Sequence, residues 1–187
     1  MIAQLRETCR RLLEEGSVQV IIGYGESLAG QPARPVFVRR GEDVEQLTWG
    51  PNCFANLVAY LTRKEVKALG NAAIVVKGCD ERVLLVLAKE SQVDRASVHV
   101  IGMACDGVGA PKCAGCQLRT PRFADEVIGT PSEAEPLSSS IAMTLDELMA
   151  KTPAERWEFW KGEFERCVKC YACRQVCPLC YCERCIA

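Results

Sequence analysis

The first hundred residues alternate between apolar and polar positions with the periods of helices and buried strands. Between Ile2 and Leu13 apolar residues recur every three or four positions, which predicts a helix over residues 2–15 that ends at Gly16. The same spacing predicts a helix over residues 53–62. Mostly apolar segments predict strands at residues 18–22, 36–38 and 72–77, and alternating apolar and polar residues predict another at 97–101.

The clearest unit in the chain is a strand, a turn and a helix, followed by another strand. After the strand at 72–77, Gly78 opens a turn, and Asp80 is placed to cap a helix of about ten residues. The next strand lies at 97–101. Apolar strands joined by a helix are typical of parallel sheets. The sequence therefore predicts an α/β fold, with a small parallel or mixed sheet and flanking helices.

Periodicity fades in the second half of the chain, where glycine, proline and serine become frequent, and we predict a linker over residues 130–143. Two capping-box patterns follow, one formed by Thr144 and Glu147 and the other by Thr152 and Glu155. They predict two consecutive helices beyond the linker.

The second of these helices carries an aromatic stripe of Trp157, Trp160 and Phe164, and it leads directly to Cys167. We expect the stripe to pack the cysteine-rich tail onto the α/β body or onto a partner protein. The predicted organisation is an α/β body, a linker, and a helical arm with a ferredoxin-like iron–sulfur tail. These parts cover residues 1–129, 130–143 and 144–187.

Composition limits the classes of function. The chain has 187 residues and a net charge of −1, so it offers no general attraction for nucleic acid. Its apolar runs are too short to span a bilayer, and its N-terminus lacks the apolar core of a secretory signal. We therefore expect a cytoplasmic protein without membrane insertion. The single histidine, His99, lies in a predicted strand and is expected to be structural, and no catalytic residue is predicted.

Thirteen cysteines in a chain without a recognisable export signal indicate a reducing compartment, where thiols serve as metal ligands. Cys9 is not a candidate ligand, because it lies on the apolar stripe of the first helix, where a small core residue is expected. The other cysteines fall into two groups, one in the tail and one in the body.

The tail contains the run C-x-x-C-x-x-C-x-x-x-C-P, the spacing that binds a [4Fe–4S] cluster. Its first three cysteines share one tight loop, and in two-cluster ferredoxins the fourth binds the other cluster. Structural zinc is the alternative, because C-x-x-C pairs also hold zinc. The candidate ligands in the tail are Cys167, Cys170, Cys173, Cys177, Cys180, Cys182 and Cys185.

The body group is built around Cys113-x-x-Cys116, a weak motif that gains weight from Cys79 and Cys105. These two follow the carboxyl ends of predicted parallel strands, so they should meet at one edge of the sheet. Cys53 is a fifth candidate. Each cysteine sits in a turn with glycine or proline, where backbone amides can approach sulfur and tune a cluster. The alternative is that Cys53, Cys79 and Cys105 are ordinary small residues at the ends of strands and helices.

A possible phosphate-cradling loop follows the first predicted strand at Gly23 and Gly25. The third position of that fingerprint is Leu28 and not glycine. A flavin or nucleotide contact is therefore the minor interpretation, and a plain turn is the favoured one.

Four body segments and the tail resemble one known family. The segments are 74–82 (IVVKGCDER), 101–107 (IGMACDG), 113–116 (CAGC) and 124–129 (ADEVIG). They resemble the beta subunits of hydrogenases and dehydrogenases that use the deazaflavin coenzyme F420. The resemblance is closest to iron–sulfur subunits attached to formate dehydrogenases and heterodisulfide-reductase-like complexes of anaerobes.

The resemblance implies an electron-relay subunit with [4Fe–4S] clusters, and in some members FAD. By position it implies that the body cysteines and the first four tail cysteines are ligands. It also implies redox partners, namely a formate dehydrogenase, a hydrogenase or a heterodisulfide-reductase-like flavoprotein. Longer relatives carry a second tail run, so the fourth ligand of the tail cluster stays open here.

The expected function is thus an iron–sulfur electron-transfer subunit of an anaerobic oxidoreductase complex, with one cluster in the tail and one in the body. Two alternatives remain. One is an FAD-containing subunit that exchanges hydride with a deazaflavin, and the other is a zinc-binding assembly module.

Overall fold

The computed structural model describes residues 1–110, 113, 116–130 and 139–182, with the backbone alone described for 139–144. Cys185 and most of the predicted linker therefore lie outside the described residues. Within the described part the chain forms an α/β structure with a mixed sheet of six strands and flanking helices, as the sequence predicts.

The sheet contains three parallel pairs of neighbouring strands. Its strands are β1 (Val20–Gly25), β2 (Arg34–Val38), β3 (Leu47–Thr48), β4 (Ala72–Val76), β5 (Val98–Met103) and β6 (Glu126–Ile128). The order is β2-β1-β4-β5-β6, and β3 pairs with β1 beside β4. Strands β1, β4, β5 and β6 run parallel, whereas β2 and β3 are antiparallel to β1.

In the described ranges six α-helices accompany the sheet. They are α1 (Ile2–Glu14), α2 (Lys64–Lys67), α3 (Gly78–Lys89), α4 (Ser139–Ala150), α5 (Pro153–Glu165) and α6 (Ala172–Val176). Helix α1 packs against β1 and β3, and α3 packs against β4 and β5. Short 3-10 helices lie at Gly41–Gln46, Leu57–Tyr60 and Arg95–Ser97.

The core forms where the apolar strands meet these helices. Every residue of β1 and β4 is buried, which is why both strands read as continuous apolar runs and not as alternating ones. Ile22, Ile74 and Ile101 are fully buried, and each such side chain contributes about 2 kcal/mol of hydrophobic free energy. Cys9 lies in this core on α1, as predicted, and burial raises the pKa of its thiol to about 12.

Several predicted elements differ from the observed ones. The predicted helix over 53–62 is wrong, because only the 3-10 turn at Leu57–Tyr60 forms there. The reason is tertiary: the carbonyl of Ala55 is held by two buried side chains, which fixes the backbone in an irregular path. Thr144 lies inside α4 and does not begin it, since α4 starts at Ser139 within the predicted linker.

Other predictions at helix ends are confirmed. Thr152 is the N-cap of α5, and its hydroxyl accepts a hydrogen bond from the backbone amide of Glu155. The carboxylate of Glu155 in turn accepts one from the backbone amide of Thr152, which completes the predicted capping box. Gly16 follows α1 with a positive φ of 69°.

His99 is half-buried on β5, with its Nε2 atom 3.1 Å from a carboxylate oxygen of Glu126. None of the helices in the described ranges is long and apolar enough to cross a membrane.

Candidate metal centre

Parallel strands β4 and β5 bring the first two candidate cysteines to one edge of the sheet. The strands are adjacent, and Cys79 lies three residues after the end of β4, in the first turn of α3. Cys105 lies two residues after the end of β5. This placement is the one predicted from the strand–helix–strand pattern, and it follows from the rule that parallel strands end at the same side.

The segment after Cys116 is folded over the beginning of α3. A Cβ atom on Gly78 would lie 2.3 Å from the carbonyl oxygen of Leu118, so only glycine allows this approach. The Cys105 amide donates to the Arg119 carbonyl at 2.8 Å. These two contacts hold the Cys116 end of the loop beside the first turn of α3, where Cys79 is located.

Glu81 binds the segment after Cys116 to helix α3, a role that the sequence did not predict. Its side chain is 4% exposed, and its two carboxylate oxygens accept from the amides of Arg122 at 2.8 Å and Phe123 at 2.7 Å. An acidic residue in the first turn of a helix is common on dipole grounds alone, so its sequence position gave no signal for this long-range role.

The body cysteines line a shared cleft of about 560 Å³. Cys79, Cys105, Cys113 and Cys116 form part of its wall, and Cys177 of the tail lines it as well. Cys113 and Cys116 are close enough to Cys105 to raise the pKa of its thiol, and Cys105 and Cys116 have the same effect on Cys79. Cys53 is buried beside the cleft and interacts with Cys105, although it does not line the cleft wall.

Backbone amides point at several of the sulfurs. The amide of Val108 donates to Cys113 Sγ at 3.5 Å, and the amide of Leu118 donates to Cys116 Sγ at 3.4 Å. The amide of Gly107 bonds to the sulfur of Cys105 and opposes the rise of its pKa. Hydrogen bonds of this kind stabilise thiolates and tune the potential of a cluster. They are the contacts that the glycine-containing turns predicted.

The ionisation of these thiols is governed mainly by the exclusion of water. Surrounding protein raises the pKa of Cys79 to about 11, although one side of the residue is open to solvent, and it also raises the pKa of Cys53 and Cys105. The ammonium group of Lys77 acts in the opposite direction on all three thiols. A metal centre bound here would have to supply the free energy that deprotonates them.

The tail loop has an unusual backbone around its second cysteine. Lys169 and Tyr171, which flank Cys170, have positive φ values of 53° and 58°, and neither is glycine. The amide of Lys169 donates to Cys167 Sγ at 3.4 Å. Left-handed non-glycine residues cost about 1–3 kcal/mol each and are typical of functional sites. The loop thus has the tight turns and amide-to-sulfur contact that a ligand loop requires.

The end of the tail rests against the α/β body. The Tyr181 hydroxyl donates to the Glu90 carboxylate at 2.9 Å, and its ring packs against the core. Residues 176–179, which follow from α6 and include Cys177, line the body cleft. The fourth cysteine of the tail run therefore faces the body cysteines, which sequence spacing alone does not determine.

Helix α5 is not what joins tail and body. Trp157, Trp160 and Phe164 are 66%, 45% and 71% exposed, and no residue of this helix is buried. Of the two packing alternatives for the aromatic stripe, docking onto the body is thus wrong.

Within the described part of the chain, no group of three or more histidine, cysteine, aspartate or glutamate side chains converges on a point where one metal ion would sit. Thiols that line one cleft, with backbone amides directed at two of the sulfurs, fit an iron–sulfur cluster by donor type. Cys180 and Cys182 are exposed and belong to the tail loop beyond this cleft.

The two glycines proposed as a flavin contact have a packing explanation. Gly23 and Gly25 both lie inside β1. A Cβ on Gly23 would meet Leu47 at 2.4 Å, and a Cβ on Gly25 would meet Val36 at 2.5 Å. The neighbouring strands fill the space that a cradle would need, so close strand packing accounts for both glycines.

Comparison with known proteins supports the resemblance seen in the sequence. No protein-family model matches the chain. Among curated proteins it is 22% identical, over an alignment of 274 positions, to the F420-dependent formate dehydrogenase 1 subunit beta of Methanococcus maripaludis, covering 93% of this chain and 70% of that protein. It is 21% identical to the F420-dependent formate dehydrogenase subunit beta of Methanocaldococcus jannaschii, covering 81% of this chain and 65% of that protein.

The predicted resemblance to beta subunits of F420-dependent enzymes is thereby confirmed. One solved structure, the F420-reducing [NiFe] hydrogenase complex from Methanosarcina barkeri, matches with a TM-score of 0.44 and 17% sequence identity. That match covers 54% of this chain and 36% of the other. The two curated relatives are beta subunits of F420-dependent formate dehydrogenases.

Proposed function

We propose that this chain is an iron–sulfur electron-transfer subunit of an F420-dependent formate dehydrogenase or hydrogenase complex. It would hold one [4Fe–4S] cluster on the body cysteines and one on the tail loop. When bound, such clusters supply one-electron transfer at potentials that the surrounding protein sets.

The observation that carries this proposal is the shared cleft. Body cysteines from three separate parts of the chain line it together with Cys177, the fourth cysteine of the tail run. Cys177 thus links the tail run to the body cleft, and a short path between the two ligand groups would pass through it. Unrelated structural cysteines have no reason to meet in this way.

The residues around the cleft perform the tasks that an electron-transfer site requires. The amides of Gly107, Val108 and Leu118 donate to sulfur and would stabilise thiolate ligands. Glu81 and Gly78 fix the loop that carries Cys116 against α3, which keeps the ligand geometry constant between redox states.

Membership of a complex is supported by α5. Its exposed tryptophan and phenylalanine side chains form an apolar face on a helix that leads straight into the tail loop. Aromatic residues are enriched in protein interfaces, and this face is well placed to hold a redox partner near the tail. The partner would be the dehydrogenase or hydrogenase subunit of the complex.

The test is to measure iron, acid-labile sulfide, zinc and flavin per chain in anaerobically isolated protein. Two cubanes require about eight iron and about eight sulfide. C113S should lower the iron bound by the body, and C170S should lower the iron bound by the tail, by about four each. C9A is the matched control, because Cys9 is buried on α1 away from the cleft and should leave the iron content unchanged.

Other metal contents would contradict the proposal in distinct ways. Stoichiometric zinc with no iron would identify the zinc-binding assembly module. Stoichiometric flavin together with reduction of a deazaflavin would identify a hydride-exchanging subunit. Equal iron in C113S and wild type would remove the body cysteines from the site.

A further inference from the structure

A buried lysine lies directly behind the body cysteines, and the electron-transfer proposal does not use it. Lys77 is 2% exposed and is the N-cap residue of α3, two positions before Cys79. Its ammonium group lies 2.7 Å from the carboxylate of Asp80, which is equally buried. A buried charge of this kind is costly unless it is paired and hydrogen-bonded.

The ammonium group is fully enclosed by fixed partners. It donates to the hydroxyl of Tyr24 and, at 3.1 Å, to the carbonyl of Ala55. The Tyr24 hydroxyl in turn donates to the same carbonyl at 2.5 Å, and the ammonium group lies 4.7 Å from the centre of the Tyr24 ring. Tyr24 is itself fully buried. The position of the positive charge is therefore set by the fold.

This charge faces the cysteine site. Lys77 lines the cleft together with Cys79 and Cys105. It acts electrostatically on Cys53, Cys79 and Cys105, in each case favouring the thiolate. Asp80 lines the same cleft, with its Oδ1 atom 3.8 Å from the Cys79 sulfur, and its negative charge opposes the effect of Lys77 there. The effect of Lys77 must therefore be separated from that of Asp80 by removing each charge in turn.

We infer that Lys77 is a positioning residue whose fixed positive charge offsets the thiolate charge of the body site and raises the reduction potential of the cluster bound there. The inference rests on the proposed function, because it requires a cluster on the body cysteines. Reduction adds one electron to a group that is already anionic, and a nearby cation in a water-poor site makes that addition more favourable.

The test is a redox titration of the full chain with its clusters, monitored by electron paramagnetic resonance. K77M removes the charge and keeps an unbranched apolar side chain, and it should shift the body midpoint potential to more negative values. D80N removes the opposing charge and should shift the same potential to more positive values. Loss of structural support has no reason to produce opposite shifts from two neighbouring residues.

K77M leaves Asp80 buried without its partner, which destabilises the fold, so a third variant is needed. K77M/D80N removes both charges and restores neutrality inside the protein. Its body potential should lie between those of K77M and D80N, because the two removed charges act in opposite directions on the site. K89M, a charge removal at the exposed far end of the same helix, should leave both potentials unchanged.

The outcomes separate this inference from the proposed function. If wild type binds no iron–sulfur cluster on the body cysteines, the proposed function fails and this inference fails with it. If the cluster is present but the double variant has a body potential no lower than that of D80N, only the role of Lys77 is refuted. Equal shifts of the body and tail potentials would also refute it, since the tail then serves as an internal control for a general effect.

Discussion

Replacing Glu81 by glutamine tests how the loop that carries Cys116 is attached to helix α3. The two carboxylate oxygens accept one backbone amide each, from Arg122 and Phe123, and the side chain is buried. An amide of the same shape has only one oxygen. In E81Q one backbone N–H therefore keeps an acceptor, and the other faces the NH₂ group of the glutamine.

The magnitude follows from these contacts. A hydrogen bond to a charged acceptor contributes about 1.5–3 kcal/mol, and a buried donor without an acceptor costs about 1–3 kcal/mol. We expect E81Q to lower the free energy of unfolding by about 2 kcal/mol. With a urea slope of about 2 kcal/mol/M, the midpoint of unfolding should fall by about 1 M.

The assay is urea unfolding of reduced, metal-free protein, followed by circular dichroism. E42Q is the matched control, because Glu42 is 73% exposed and its ion pair is with the exposed Arg40, so it should change stability by less than about 0.5 kcal/mol. A second measurement is the iron content after anaerobic reconstitution, which should fall for E81Q at the body site and not at the tail. An E81Q midpoint within about 0.3 M of wild type would refute the assigned role of this side chain.

Three further predictions concern the same framework. G78A should destabilise the protein by about 1–3 kcal/mol and lower iron binding by the body, because the new methyl group overlaps the Leu118 carbonyl; wild-type iron content would contradict this. Asp125 is exposed, and although the surrounding protein opposes its ionisation, hydrogen bonds from Arg95 and from the Val100 amide leave its pKa below the ordinary value. Its stabilising effect should therefore be present above about pH 4 and lost as pH falls through the lowered pKa, so wild type and D125N should converge in acid and differ at neutral pH. Y181F removes the bond to Glu90 and should speed trypsin cleavage in the tail while changing global stability by less than about 1 kcal/mol; unchanged cleavage would show that this contact does not hold the tail.

The fold class could be predicted because its signals are local. Strands β1 and β4 are buried on both faces, so hydrophobicity alone identified them, and the capping box at Thr152 marked the start of α5. The strand–helix–strand order then required Cys79 and Cys105 to meet at one edge, because parallel strands share their direction.

Other parts of the structure depend on contacts between distant residues. The segment around Leu57 has helical spacing, yet the bonds that Tyr24 and Lys77 make to the Ala55 carbonyl hold it in an irregular form. Helix α5 has a sequence that fits packing on the body, and the structure leaves its aromatic side chains exposed. Helical periodicity reports which face is apolar and does not report what covers that face.

The sequence by itself determined the α/β class, the two cysteine groups and the resemblance to beta subunits of F420-dependent enzymes, because each depends on residue type and spacing. The tertiary structure decided that Cys177 faces the body cysteines, that Glu81 anchors the loop carrying Cys116, and that Lys77 is buried behind the site. These facts depend on how separate segments pack, since a charge or hydrogen bond acts over a few ångströms of space whatever the distance along the chain.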